Sequence, residues 1–219
     1  MNTLIISDTH LSHDFEEKKY EFLLNLIQEA DRVIINGDFW DGYICTFDAF
    51  IHSPWKALFP FLKAKRTIYL YGNHDKKNFS DQRVSLFCEL ATLQYKFVMN
   101  DQVYFVEHGN RFHPGFDEVW NITGQYPILM WWNHQLNRFL LKTFKSTLIK
   151  FYYEKDNLKI KRKLRHRFIQ GEILICGHTH AAEIDSQARF LNSGMINYGL
   201  GQYLTIQNEK ITLHQKWYE

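Results

Sequence analysis

Cysteine is scarce in this chain: Cys45, Cys88 and Cys176 are the only three among 219 residues. They are odd in number, far apart and outside any CxxC pattern, so neither a disulfide framework nor a thiolate zinc site is expected. No window approaches 18 uncharged apolar residues, so no transmembrane helix is expected. The opening residues, Met1 to Leu11, hold no basic stretch and no long apolar run. No signal peptide is expected, and the expected compartment is the cytoplasm. Neither sign of charge dominates: 26 Lys and Arg stand against 24 Asp and Glu, a formal net of +2. Taken alone, that balance argues against a polyanion-binding protein.

What is present is an ordinary globular composition, 45% hydrophobic and 23% charged. It excludes whole-chain disorder, collagen-like repeats and coiled coil. The length suits one domain, or one domain carrying a sizeable insertion. The charge balance, however, averages unlike parts. Between Arg138 and Phe168 stand 11 Lys and Arg against Glu154 and Asp156, a local net of +9. The remaining residues carry 15 basic and 22 acidic side chains, a net of −7. An acidic body therefore carries one strongly basic segment.

Apolar periodicity predicts strands at Thr3 to Ile6, Arg32 to Ile35 and Thr67 to Tyr71. It predicts helices at Glu16 to Ala30, Trp55 to Ala64 and Val84 to Leu93. Tyr95 to Met99 and Val103 to Val106 read as a hairpin. Strand–helix alternation of this kind points to an α/β core with helices outside. From Arg111 to Gln170 no good strand appears, and the text is aromatic, then basic. Strands resume at Ile173 to Cys176 and continue at Arg189 to Leu191, Tyr203 to Ile206 and Lys210 to His214. The expected organisation is one domain over 1–219, interrupted by a helical insertion over 111–170.

The chemistry sits where predicted strands end. These ends read Ser7-Asp8-Thr9-His10, Asn36-Gly37-Asp38-Phe39-Trp40-Asp41, Tyr71-Gly72-Asn73-His74-Asp75, Glu107-His108-Gly109 and Gly177-His178-Thr179-His180. Any one of them is ordinarily a turn or a helix cap. Five in succession are not explained by turn chemistry. In open α/β sheets, ligand sites form beyond the carboxyl ends of strands. Asp, His and Asn are oxygen and imidazole ligands suited to Mn²⁺, Fe or Zn²⁺. In an extended Asp8-x-His10 both side chains point to one side and can face one metal, and His178-x-His180 repeats the spacing. Seven candidate ligands exceed the needs of one tetrahedral ion and fit a two-metal site.

These five blocks, in this order and spanning residues 8–180, resemble the calcineurin-like metallophosphoesterase superfamily. The resemblance implies a four-layer α/β/β/α sandwich, with the insertion as a helical cap. It implies two divalent cations, with Mn²⁺ first and Fe or Zn²⁺ as alternatives. Asp8, His10 and His180 would hold one cation and Asn73, His108 and His178 the other, with Asp38 bridging. His74 would stand beside the scissile phosphate and Asp75 would orient it. The implied reaction is hydrolysis of a phosphodiester or pyrophosphate by a metal-activated hydroxide.

The insertion should set the substrate. Residues 134–153 form a candidate amphipathic helix. Leu136, Leu140, Phe144, Thr147, Leu148 and Phe151 fall on one arc, with Arg138, Lys142 and Lys145 on the other. A basic run follows, Lys159 to Arg167, and Trp120, Tyr126, Met130, Trp131 and Trp132 lie upstream. Its bland reading is a cap with solvated charges. A functional reading is a lid over an anionic, partly apolar substrate, with peripheral contact to an anionic membrane on its inner face. Another is a nucleic-acid groove. Trp131, Trp132, Arg138, Lys142, Arg162 and Arg165 are the candidate substrate contacts. The placement of the insertion is similar to that of UDP-2,3-diacylglucosamine pyrophosphohydrolases, although the His of Gly72-Asn73-His74-Asp75 follows the wider superfamily. A nuclease, a cyclic-nucleotide phosphodiesterase and a metal-free protein-binding scaffold are the alternatives. The scaffold reading is disfavoured because none of the seven ligands is missing.

Overall fold

The computed structural model describes residues 1–119, 127–164 and 171–219. The chain begins with alternating elements: β1 (Asn2–Ile6), α1 (Glu17–Glu29), β2 (Arg32–Asn36), α2 (Phe47–His52), α3 (Phe59–Ala64) and β3 (Ile68–Leu70). Short strands follow at β4 (Leu90–Thr92), β5 (Tyr95–Met99) and β6 (Gln102–Val106). Helices α4 (Phe116–Val119), α5 (Pro127–Tyr152) and α6 (Glu154–Leu164) come next. The chain then forms β7 (Ile173–Cys176), β8 (Glu183–Asp185), β9 (Phe190–Asn192), β10 (Ile196–Asn197), β11 (Leu200–Gln207) and β12 (Lys210–Trp217).

The strands form two sheets. One runs β10-β11-β1-β2-β3-β4 with β12 added on β11; the other runs β5-β6-β7-β9-β8. Strands β1 to β4 pair in parallel, as do β6, β7 and β9. Both faces of β1 to β3 are covered, so they read as near-continuous apolar runs. Alternation divides their side chains. Leu4, Ile6, Val33, Ile35 and Tyr69 pack with the helices, including Leu23, Leu26 and Ile27 of α1. Ile5, Ile34, Ile68 and Leu70 pack against Val106, Ile175 and Leu191 of the second sheet. Each such buried side chain contributes roughly 1.5–3 kcal/mol relative to exposure. On the far side, Ile160 and Leu164 of α6 cover Phe105, Leu174 and Phe190. The result is helices, sheet, sheet, helix: the expected four-layer α/β/β/α order.

Three expectations are corrected. The helix at Val84 to Leu93 is instead a 3-10 turn over Gln82–Leu86 followed by β4. The open edge of β3 provides a ladder partner, and Ile68, Tyr69 and Leu70 pair with Leu90, Ala91 and Thr92. On α5, Leu136 of the expected apolar arc is 57% exposed, whereas Leu141, outside that arc, is buried against Met195, Tyr198 and Leu200; Phe144, Thr147, Leu148 and Phe151, with Lys142 and Lys145 opposite, lie outside the residues whose side chains are described. Arg138 turns inward because Glu16 and Glu219 meet it there. Finally, the basic run on α6 is not all lid. Its helix is the fourth layer, with Lys161 held by Glu183 and Asp185.

Candidate metal centre

Five strand ends converge. The loops after β1, β2, β3, β6 and β7 carry Asp8 and His10, Asp38 and Asp41, Asn73 to Asp75, His108, and His178 and His180 respectively. Expected ligands meet in two groups. Asp8, His10 and His180 bring one donor atom each within 4.8 Å of one another, and so do Asp38, His108 and His178. In the first group His10 Nε2 faces His180 Nε2 at 3.4 Å, and His180 Nε2 faces Asp8 Oδ1 at 3.3 Å. In the second, Asn73 Oδ1 lies 3.1 Å from His108 Nε2 and 2.9 Å from His178 Nδ1. Asp38 Oδ2 lies between the groups, 3.1 Å from His108 Nε2 and 3.9 Å from His10 Nε2.

The extended geometry expected for Asp8-x-His10 is not what aims these side chains. Asp8, His10, Asp38, His178 and His180 all have φ between 45° and 68°. Left-handed backbone in non-glycine residues is strained and persists only where the surroundings enforce it. Here backbone bonds do so: Asp8 N donates to Gly37 O and His10 N to Asp38 O. The motif glycines follow from the same crowding. A Cβ on Gly72 would stand 2.2 Å from Asp38 Oδ1, and one on Gly177 would stand 2.5 Å from Asp8 Oδ2.

The donor set fits cations. Asp8 and Asp38 are almost wholly buried, 0% and 2% exposed, and buried carboxylates need opposite charge. Asp8 Oδ1 is buried without a hydrogen-bond donor. His108 Nδ1 lies 2.9 Å from Asn36 O, and His178 Nε2 lies 2.6 Å from His113 O. A ring N–H donated to each carbonyl leaves the other nitrogen as a lone-pair donor facing the cluster. Burial opposes charge on His108, but the carboxylates of Asp38 and Asp8 outweigh it and push its pKa up to about 10. A cation bound between these groups would displace that proton and take over its charge. Burial and the neighbouring His108 hold His178 down to about 4, ready as a neutral ligand.

His74 borders the first group, its ring centroid 4.5 Å from that of His10. The carboxylate against it is Asp41, with Oδ2 at 3.1 Å from His74 Nδ1. This corrects the role expected of Asp75. Asp75 is buried and accepts from the backbone N–H groups of Gly72, Asp38 and Phe39. It braces two ligand loops and is not placed to orient His74. Burial and the Asp38 carboxylate push its pKa up to about 6.

This geometry agrees with the comparisons. A family model described as calcineurin-like phosphoesterase matches residues 1–182. The chain belongs to the calcineurin-like phosphoesterase family. An archaeal phosphodiesterase of solved structure is similar, with a TM-score of 0.53 at 17% identity over 99% of each chain. The phosphoesterase Yfce from E. coli gives 0.51 at 16% identity over 100% of each. Vps29 from Entamoeba histolytica, solved with zinc, gives 0.49 at 14% over 100% of each. No curated protein matches the chain. The archaeal phosphodiesterase and Yfce speak for the fold alone. The phosphoesterase family uses divalent metals, and the Asp and His groups here can hold them.

The expected substrate contacts divide. Trp131, Trp132 and Arg138 line a cavity of about 410 Å³ beside His10, together with Ile128, Trp55 and Lys19. Arg162 is exposed on α6 and lines none of the cavities described here. Lys142 and Arg165 lie outside the residues whose side chains are described. Sequence reasoning missed three sets. Asn133, His134 and Asn137 of α5 face His10, His74 and His180 across a smaller cavity of about 120 Å³. Their spacing of one helical turn was the available signal. Buried Lys19 donates to Thr9 O and Asn197 Oδ1. Asn157 of α6 is the third. It donates to Ala181 O and Glu183, and accepts from Thr179 and Asn192. It ties the Gly177-to-His180 loop to the outer helix, and nothing in the local sequence marked it.

Proposed function

We propose that this chain is a two-metal phosphoester hydrolase that cuts a phosphodiester or pyrophosphate bond. The observation that supports it most is the convergence of Asp8, His10, Asp38, Asn73, His108, His178 and His180 from five loops at one end of the sandwich. Asp8, His10 and His180 would hold one cation and Asn73, His108 and His178 the second, with Asp38 within reach of both. Manganese is the first candidate, with iron or zinc as alternatives. Divalent cations bound there supply Lewis-acid charge to phosphoryl oxygens and lower the pKa of water. The chain's own residues do the rest. Carbonyls of Asn36 and His113 fix the tautomers of His108 and His178. Asp41 holds His74 at the rim, where a protonated imidazole stabilises charge on phosphorus or protonates the leaving oxygen. Of the helices in residues 111–170, α5 acts as a cap on a single domain while α6 completes the sandwich, and Trp131, Trp132 and Arg138 contact the substrate.

The substrate proposed is anionic and partly apolar, lipid-linked or a nucleotide sugar. The cavity beside His10 supports this, because Trp131, Trp132, Trp55 and Ile128 give it apolar walls. Peripheral contact with an anionic membrane on the cytoplasmic side accompanies it. Among the described residues, no helix is long and apolar enough to cross a membrane. Yet Ile128, Leu129, Trp132, Leu136 and Phe139 of α5 are 57–76% exposed, an apolar stripe of the kind that marks an interaction surface. The nucleic-acid reading has less support, since Arg138 and Lys161 are already ion-paired.

The test is metal analysis of the purified protein together with a Mn²⁺-supplemented panel. The panel holds an aryl phosphodiester, an aryl phosphomonoester, a UDP-linked acyl sugar and single-stranded DNA. About two divalent ions per chain and hydrolysis of the diester or the nucleotide sugar are expected. A metal-free protein inactive on the whole panel would remove the proposal.

A further inference from the structure

The two cavities beside His10 are continuous in their lining, and their walls differ in kind. The smaller has His10, His74 and His180 on one side and Asn133, His134 and Asn137 of α5 on the other. The larger has the tryptophan walls. His10, Ile44 and His134 belong to both. A group held at the histidine edge can therefore extend one arm past His134 into the larger cavity.

The charge of the smaller cavity restricts what that group is. Among the described residues no Lys or Arg lines it. Its α5 wall is two carboxamides and an imidazole, joined by a bond from Asn137 Nδ2 to Asn133 Oδ1 at 2.7 Å. The His134 ring lies 4.7 Å from that of Tyr198, which fixes its place on the wall. The Asp41 carboxylate also lines the cavity. A phosphomonoester carries about −1.5 to −2 at pH 7, with a second pKa near 6. The α5 wall offers that second charge no lysine or arginine, and a monoester has no second arm for the larger cavity. A phosphodiester carries one charge and has that arm. The cations in the larger cavity do not alter this. Arg138 is held by Glu219 and Glu16, and Lys19 by Thr9, Asn197 and Glu16.

We propose that Asn133, His134 and Asn137 form the specificity element of the site, admitting a phosphoryl group that carries one charge and a second ester or anhydride arm and rejecting phosphomonoesters. This rests on the hydrolase reading above. The test compares bis-p-nitrophenyl phosphate with p-nitrophenyl phosphate on the Mn²⁺-loaded full chain. The expected kcat/KM ratio favours the diester by about 100-fold or more. His134→Arg should lower that ratio at least 10-fold, with metal content unchanged. Asn133→Arg, at an exposed position, should act in the same direction if the His134 variant fails to fold. Binding supplies a second readout: calorimetry should show the monoanionic methyl ester of phenylphosphonate bound more tightly than the dianion. A wild-type preference for the monoester, or a ratio unmoved in both folded variants, overturns the proposal and leaves the hydrolase reading standing. Absence of both metal and turnover overturns the hydrolase reading and this proposal with it.

Discussion

Asp41 Oδ2 lies between two imidazoles, 3.1 Å from His74 Nδ1 and 3.4 Å from His10 Nδ1. Burial resists its charge, but His74 and His10 hold its pKa below the usual carboxylate range. One carboxylate thus fixes the ring of a proposed cation ligand and the ring of the proposed acid. Ring-orienting carboxylates of this kind typically affect metal affinity 10–100-fold. Loss of a general acid typically costs about 10²–10⁴ in rate. His74→Ala should therefore lower kcat within that range and keep its metal. Asp41→Asn should lower both kcat and metal affinity. Metal titration followed by mass spectrometry separates them: a His74 variant that binds metal poorly would refute the division of roles.

The contrast between Asp41 and Asp75 shows how far the sequence was legible. The five strand-end motifs could be read because Asp, His, Asn and Gly fall together after apolar runs. Their convergence then follows from a parallel sheet. Which carboxylate meets which imidazole could not be read. Asp75 adjoins His74 in sequence, yet its oxygens serve the backbone N–H groups of Asp38 and Phe39 in another loop and of Gly72 in its own. The inward placement of Arg138 on α5 was illegible for a similar reason: its acidic partners, Glu16 and Glu219, lie far away in the chain.

Asn157 makes a long-range anchor testable away from the chemistry. Its Oδ1 accepts from Thr179 Oγ1 at 2.6 Å and Asn192 Nδ2 at 3.0 Å, all in buried surroundings. Removing an acceptor and leaving buried donors unsatisfied costs about 1–3 kcal/mol per group. Asn192 Nδ2 keeps Gly177 O and Thr179 Oγ1, so Asn157→Ala removes the partner of the Thr179 hydroxyl and of the Ala181 carbonyl and should lower unfolding free energy by about 2 kcal/mol. It should also weaken metal binding, because the Gly177-to-His180 loop loses its tie to α6. Urea unfolding and metal titration test this. A variant as stable as the wild type would show that the network is not needed.

The exposed stripe on α5 predicts membrane affinity. Trp132 and Phe139 are both 64% exposed, and the stretch from Arg138 to Phe168 carries a net of +9. Apolar insertion and attraction to anionic headgroups act together in such segments. The chain should sediment with phosphatidylserine-containing vesicles and less with phosphatidylcholine alone. Trp132→Glu combined with Phe139→Glu should reduce binding at least 10-fold. Equal sedimentation of wild type and double variant would leave the stripe without this role.

Lys19 gives a pH dependence with a definite sign. It is 1% exposed, and burial pulls its pKa down to about 8 from an ordinary 10.5. Below pH 8 the amine is charged in both folded and unfolded chains, so the folded chain bears the burial cost in full. Between about 8 and 10.5 the unfolded chain keeps the proton that the folded chain has released. The unfolded state then binds more protons, and unfolding free energy rises with pH. Lys19→Met removes this contribution. It also leaves Thr9 O without its donor, while Asn197 Oδ1 keeps the backbone N–H of Tyr198, so the variant should be less stable at pH 7. The gap between wild type and variant should widen between pH 8 and 10. Urea unfolding of both proteins at pH 7, 8.5 and 10 measures it. A gap that stays constant over that range would show that Lys19 stays charged in the fold, with Glu16 at 3.7 Å holding the proton in place.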